Sequence, residues 1–164
     1  MASEHSMDIV VNFDFQELRN AVEQAKKEAL NRYDLKDAKI EIELNENDIK
    51  VAASSEYQVE AVFGIIVKKV VGRNLSPKIL DRQKVEEAGG MRYKQEIKLI
   101  KALDQENAKE ISKKIRDAFP KSKASIQGDV VRVISKEIDE LQSIQGLLRA
   151  DEKMKVPIIF TNYR

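Results

Sequence analysis

Lys123, Ser125 and Gln127 alternate with Ala124 and Ile126. Gly128-Asp129 follows, and Arg132 and Lys136 lie just beyond. In a β-hairpin that alternation turns Ala124 and Ile126 inward and Lys123, Ser125 and Gln127 outward, within reach of phosphate or base edges. Gly128 permits close backbone approach, Arg132 offers a planar fork for phosphate, and Lys136 adds a point charge. The plainer alternative is a good turn flanked by solvated strand residues, a common arrangement. A second basic group, Arg32 and Lys36, flanks Tyr33-Asp34 at the end of a helical pattern, where cations also complement the helix dipole. A third, Arg92, Lys94 and Lys98, shares one strand face but is interrupted by Glu96, and it reads as solvated surface.

Catalytic chemistry finds little to work with. His5 is the only histidine and sits in a polar N-terminal stretch, so neither a triad nor a metal cluster can be assembled around it. There is no cysteine, which removes thiolate zinc sites, cysteine nucleophiles and disulfides. Gly89-Gly90 lacks the spacing and the Gly-Lys-Ser/Thr ending of a phosphate-binding loop. Carboxylates are plentiful, but no spacing pairs two of them at a cleft, and no arginine-bearing loop suggests an acylphosphatase. The expectation is a binding protein with no catalytic residue, metal ligand or cofactor.

The elements that would position these residues follow from hydrophobic period. Met7, Ile9, Val11 and Phe13 alternate as a strand; Phe15, Leu18, Val22, Ala25, Ala29 and Tyr33 then recur at three and four, one apolar stripe of a helix. Asp14 stands at its N-cap position with Glu17 three residues later, the pattern of a capping box. Ile40–Leu44 and Ile49–Ala53 alternate around Asn45-Glu46-Asn47-Asp48 as a hairpin, and Ser54 or Ser55 can cap a second helix ending near Gly72 to Asn74. A short strand over 81–86 precedes Gly89-Gly90. The order then repeats: a strand through Tyr93, Ile97 and Leu99, a helix capped by Asp104 and stopped by Pro120, strands at 123–127 and 130–135, a helix from Ile138, and a strand at 157–163. Gly128 first in a two-residue loop suits a type II′ turn. Read as contiguous repeats, β-α-β-β-α-β occurs at 7–86 and 91–163, which predicts an α+β protein of two ferredoxin-like antiparallel sandwich domains, each with one sheet face bare of helices.

Composition suits that picture. The 164 residues are 42% hydrophobic and 35% charged with a net charge of +1, a folded chain rather than a disordered one. No signal-peptide pattern or membrane span is present, so the expected compartment is the cytosol. Residues 1–75 carry 10 Lys+Arg against 14 Asp+Glu and residues 76–164 carry 19 against 14, which directs a search for an anionic partner to the C-terminal half.

Met7-Asp8-Ile9-Val10, Glu17 with Asn20-Ala21, Arg32-Tyr33-Asp34-Leu35-Lys36 and Ser54-Ser55-Glu56 then stand in order along the chain. Ser125-Ile126-Gln127-Gly128-Asp129, Val131-Arg132-Val133, Lys136 and Asp139-Glu140-Leu141-Gln142 follow. Together these resemble the bacterial YajQ family of small nucleotide-binding proteins over nearly the whole chain. The resemblance implies that the first strands of the two modules are exchanged. One domain would be 14–101, borrowing strand 91–101, and the other 1–13 plus 102–164. It also implies a nucleotide as ligand, cyclic di-GMP included, or RNA such as tRNA. The expected function is a GTP/ATP- or cyclic di-GMP-binding regulatory effector, with an RNA (tRNA)-binding protein or an adaptor of a transcription factor as alternatives. With that ligand class, the residues singled out above by type and spacing, Lys123, Gln127, Gly128, Arg132 and Lys136 with Arg32 and Lys36, are the expected nucleotide-binding residues. One departure from RNA-recognition modules is visible. The strands at 49–53 and 130–134 hold no aromatic residue, and Tyr93 shares parity with the core residues Ile97 and Leu99, so base stacking has little to rest on.

Overall fold

The computed structural model describes residues 3–35 and 39–164. Its strands and helices run β1 (His5–Val11), α1 (Phe15–Asn31), β2 (Glu41–Leu44), β3 (Asp48–Ala53), α2 (Glu56–Gly72), β4 (Leu80–Arg82), β5 (Glu86–Ala88), β6 (Arg92–Leu99), α3 (Gln105–Ala118), β7 (Lys123–Gln127), β8 (Val130–Ser135), α4 (Ile138–Arg149) and β9 (Ile158–Thr161), with a 3-10 turn at Pro77–Ile79 before β4. They form two units, one of residues 13–100 and one of residues 1–12 with 101–164. No helix among the described residues is long and apolar enough to cross a membrane.

The first sheet has strand order β7-β8-β1-β9; the second has β2-β3-β6-β4, with β5 also on β6, and every pairing is antiparallel. Each is the ferredoxin-like order, yet the strand beside β8 and β9 is the chain's first, and the strand among β3, β4 and β5 is its sixth. The modules have traded their opening strands. Contiguous repeats at 7–86 and 91–163 are therefore replaced by an exchange, which local periodicity cannot distinguish because β1 and β6 alternate in the same way.

In unit 13–100 the helical stripe Leu18, Ala21, Val22, Ala25 and Ala29 and the stripe Val59, Val62, Ile66 and Val70 cover one sheet face, against Ile42, Ile49, Val51 and Ile97. In the other unit Met7, Ile9, Val131 and Val133 from the sheet are buried, as are Ala108, Ile111 and Ile115 of α3 and Leu141, Ile144 and Leu148 of α4. Removing solvent from the Leu, Ile, Val and Met side chains among these contributes about 1.5–3 kcal/mol each, before conformational entropy is set against it.

Several local expectations change. The carboxylate of Asp14 does cap α1, accepting from the N–H groups of Gln16 and Glu17 at 2.9 and 3.4 Å. Glu17 closes no capping box; its carboxylate takes the fork of Arg73 at 2.8 and 3.0 Å, tying α1 to the end of α2. Tyr33 leaves the core stripe and is 95% exposed, because α1 ends at Asn31 and Arg32 turns extended; Leu35 is the buried residue there. The short strand expected over 81–86 is split into β4 and β5 by one extra residue between them, with Gln83 still bonded to the Glu96 carbonyl of β6.

The exchange also redistributes charge. Unit 13–100 holds 16 Lys+Arg against 16 Asp+Glu, and the other holds 13 against 12. Of the +5 carried by residues 76–164, +2 lies in residues 76–100, which fold with the N-terminal part, and Glu4 and Asp8 offset most of the +3 left in residues 101–164. Neither unit is a strongly cationic body.

Candidate functional site

The helix-free face of the β2-β3-β6 sheet carries Glu41 and Glu43, Lys50 and Ala52, and Lys94 and Glu96, by the alternation that buries Ile42, Val51 and Ile97. Long charged side chains thus surround the short Ala52, which lies opposite both Glu41 and Lys94. The segment 83–86 adds a wall: the Gln83 N–H donates to the Glu96 carbonyl at 2.9 Å, and the Gln95 side-chain amide donates to the Gln83 carbonyl at 2.7 Å. The result is a concavity of about 680 Å³ lined by these residues with Lys84 and Glu86, within the size range of small-ligand sites. Among the described residues, Lys50, Lys84 and Lys94 form no ion pair, so three ammonium groups remain available to an anion.

Two carboxyl groups meet on this face, where the sequence had suggested no such pair. Asp48 and Glu96 hydrogen-bond to each other across neighbouring strands. That bond, with some burial and the Asp48 charge, raises the pKa of Glu96; hydrogen bonds from Asn45 and then Glu96 hold Asp48 below its ordinary value. Glu96 therefore gives up its proton less readily than an ordinary glutamate at the rim of the concavity. Neither this pair nor the grouping of Lys50 and Lys84 with Lys94 was legible, since register rather than spacing brings them together.

The residues expected from sequence are placed differently. Lys123 and Gln127 are exposed on the open face of β7, and Lys136 is exposed just past β8. Gly128 has φ +64 while Asp129 does not share the positive φ, in keeping with a II′ turn; its carbonyl accepts from Gln105. Arg132 is not a vacant fork. Its Nε and an Nη donate to the two Asp8 carboxylate oxygens at 2.9 and 3.4 Å, and Asn162 donates to the same carboxylate at 2.8 Å. Asp8 is only 6% exposed, and chiefly through the Arg132 hydrogen bond its pKa is lowered. Asn162, at φ +55, occupies a bulge: Asp8 pairs with Thr161, while Ser6 exchanges backbone hydrogen bonds with Arg164. The bulge is what turns Asn162 onto Asp8.

Arg32 likewise spends its fork on Asp34, at 2.9 and 2.7 Å, and belongs to the unit that does not contain the hairpin. Lys36 lies outside the described residues. Among the described residues, no aromatic ring stands on the strand positions of either open face; Tyr93 packs with the core.

Comparison with known proteins places these observations. The family model described as "Nucleotide-binding protein YajQ-like" matches residues 5–164. Across the full length of both chains the sequence is 51% identical to a protein of Nostoc punctiforme, 50% to one of Trichodesmium erythraeum and 46% to one of Synechococcus elongatus, each named as a nucleotide-binding protein. With an exchanged pair of ferredoxin-like modules and a match that runs from the first strand to the last residue, this chain belongs to the YajQ family.

Proposed function

We propose that this protein is a cytoplasmic, non-catalytic nucleotide-binding protein acting as a regulatory effector. We place its ligand in the concavity on the open face of β2, β3 and β6. The names of its relatives supply the ligand class. The observation that carries the location is the cavity itself, large enough for a nucleotide and ringed by three lysines without ion-pair partners. Lys50, Lys84 and Lys94 take the phosphates as point charges. Glu41, Glu86 and Glu96 accept from ribose hydroxyls or base amino groups, and Ala52 allows the ligand to lie close to the sheet.

The hairpin residues Lys123, Gln127, Gly128 and Lys136 are the competing location. Arg132 serves there only if a phosphate displaces Asp8, and Arg32 only if one displaces Asp34. An RNA-binding role would have to proceed without stacking rings on either sheet, through phosphate contacts alone. A transcription regulator as partner has no feature on this face that favours it.

Calorimetric titration with GTP, ATP and cyclic di-GMP tests the reading, with tRNA as a separate arm. Binding of one nucleotide without turnover, weakened roughly tenfold by Lys94→Ala, is expected, the size of one charge-assisted hydrogen bond. Added salt lowers the affinity further, because the lysines are exposed. Unchanged affinity in Lys94→Ala with loss in Lys123→Ala moves the site to the hairpin; phosphate release from the nucleotide would overturn the non-catalytic part.

A further inference from the structure

The β2 edge of the same sheet adds a further chemistry, sharing Glu41 and Glu43 with the concavity. Strand β2 is the edge of its sheet, and among the described residues only β3 pairs with it. Asn45 donates to the Asp48 carbonyl at 2.8 Å, which makes 45 and 48 a hydrogen-bonded pair. In an antiparallel ladder such pairs alternate, so the N–H and C=O groups of Ile42 and Leu44 point outward from the sheet. Beside this edge a groove of about 460 Å³ runs between α1 and β2, lined by Ala29, Leu30, Ile40 and Ile42 together with the charged Lys26, Glu41 and Glu43, and Leu30 is 67% exposed. On the opposite sheet face the same edge carries Glu41 and Glu43, both exposed, with the Arg92 guanidinium 3.9 Å from Glu41 and Lys50 opposite Glu43.

A strand added here would alternate as the sheet does. Its residues opposite Ile42 and Leu44 would enter the apolar groove. Those opposite Glu41 and Glu43 would lie over two carboxylates. A second copy of β2 fits poorly, because two-fold antiparallel pairing sets glutamate against glutamate, and like charges directly opposite destabilise. At the matching edge of the other unit β7 carries Lys123, the opposite charge.

We propose that β2 is a docking edge for an extended basic segment of another protein, one in which Lys or Arg alternates with apolar residues. Main-chain hydrogen bonds to Ile42 and Leu44 supply binding, the groove takes the apolar side chains, and Glu41 and Glu43 select the basic ones. The inference does not rest on nucleotide binding and is tested with nucleotide absent, so either can fail alone.

The test uses the full chain and three labelled heptapeptides that alternate lysine with valine, glutamate with valine, or lysine with serine. Fluorescence anisotropy should show the lysine–valine peptide binding at least tenfold tighter than either other. Hydrogen exchange at the Ile42 and Leu44 amides should slow when it binds. Charge reversal with E41K and E43K together, both at exposed positions, should invert the preference between the lysine–valine and glutamate–valine peptides. Equal binding of all three peptides overturns the proposal, as does binding without protection at Ile42 and Leu44, or a preference that survives charge reversal. Protection of those two amides by self-association in the absence of peptide would also overturn it, in favour of a second copy.

Discussion

Asp8 and Arg132 are 124 residues apart in sequence and directly opposite each other in register, so neither announces the other. Arg132 is conspicuous as a phosphate fork when read alone, and in the fold that fork holds a carboxylate instead. The pair is asymmetric in exposure: Asp8 is nearly covered, whereas the Arg132 side chain keeps 35% of its surface. Replacing Asp8 by Asn leaves a half-covered guanidinium without its counter-charge and should cost about 1.5–3 kcal/mol at pH 7, the range for a hydrogen bond to a charged group. Because the folded state lowers the pKa of Asp8, its contribution is complete above the ordinary carboxylate range and drains as pH falls through the folded value. Urea unfolding as a function of pH should therefore show parent and Asp8→Asn converging in acid. Glu96 has the opposite sign. Its raised pKa favours folding below the ordinary glutamate range and loses that advantage as pH rises, so Glu96→Gln should melt at a higher temperature than the parent at pH 7 and not at pH 3.

At the scale of elements, the helices and most strands were legible because their signals are local. Asp14 and Asp104 cap where the sequence placed them, and the stripes through Leu18–Ala29 and Ala108–Ile115 face their sheets. The hairpin turn was equally legible: only a residue tolerant of φ +64 fits at Gly128, where a Cβ would meet no neighbour within 4 Å. The cost of Gly128→Ala is thus backbone strain alone, about 1–2 kcal/mol, and thermal unfolding of that variant measures it. What misled was any reading that extended a period past its element. Tyr33 keeps the helical spacing but lies beyond the residue where α1 stops. The concavity was invisible for a related reason: its lysines come from β3, β6 and the segment between β4 and β5, joined by pairing rather than by sequence.

At the scale of the molecule, the exchange of β1 and β6 decides what each unit contains. β6 pairs with β3, β4 and β5, and β1 sits between β8 and β9, so each traded strand is central to its sheet. A fragment of residues 13–100 should fold cooperatively by itself, with slow amide exchange in β3 and β6. A fragment of residues 1–90, complete as a contiguous repeat, should not, since it lacks the strand at the middle of its sheet. Cooperative unfolding of fragment 1–90 would contradict the exchange. The same strand assignment evens the charge between units and moves attention from the basic C-terminal half to the open face of 13–100. The location of the nucleotide on that face is the central claim, and amide chemical shifts of the full chain titrated with GTP, ATP and cyclic di-GMP test it most directly. One of the three should shift Ala52, Lys84 and Lys94 first and most strongly. Shifts confined to the Lys123–Lys136 hairpin, or none with any nucleotide at millimolar concentration, would contradict it.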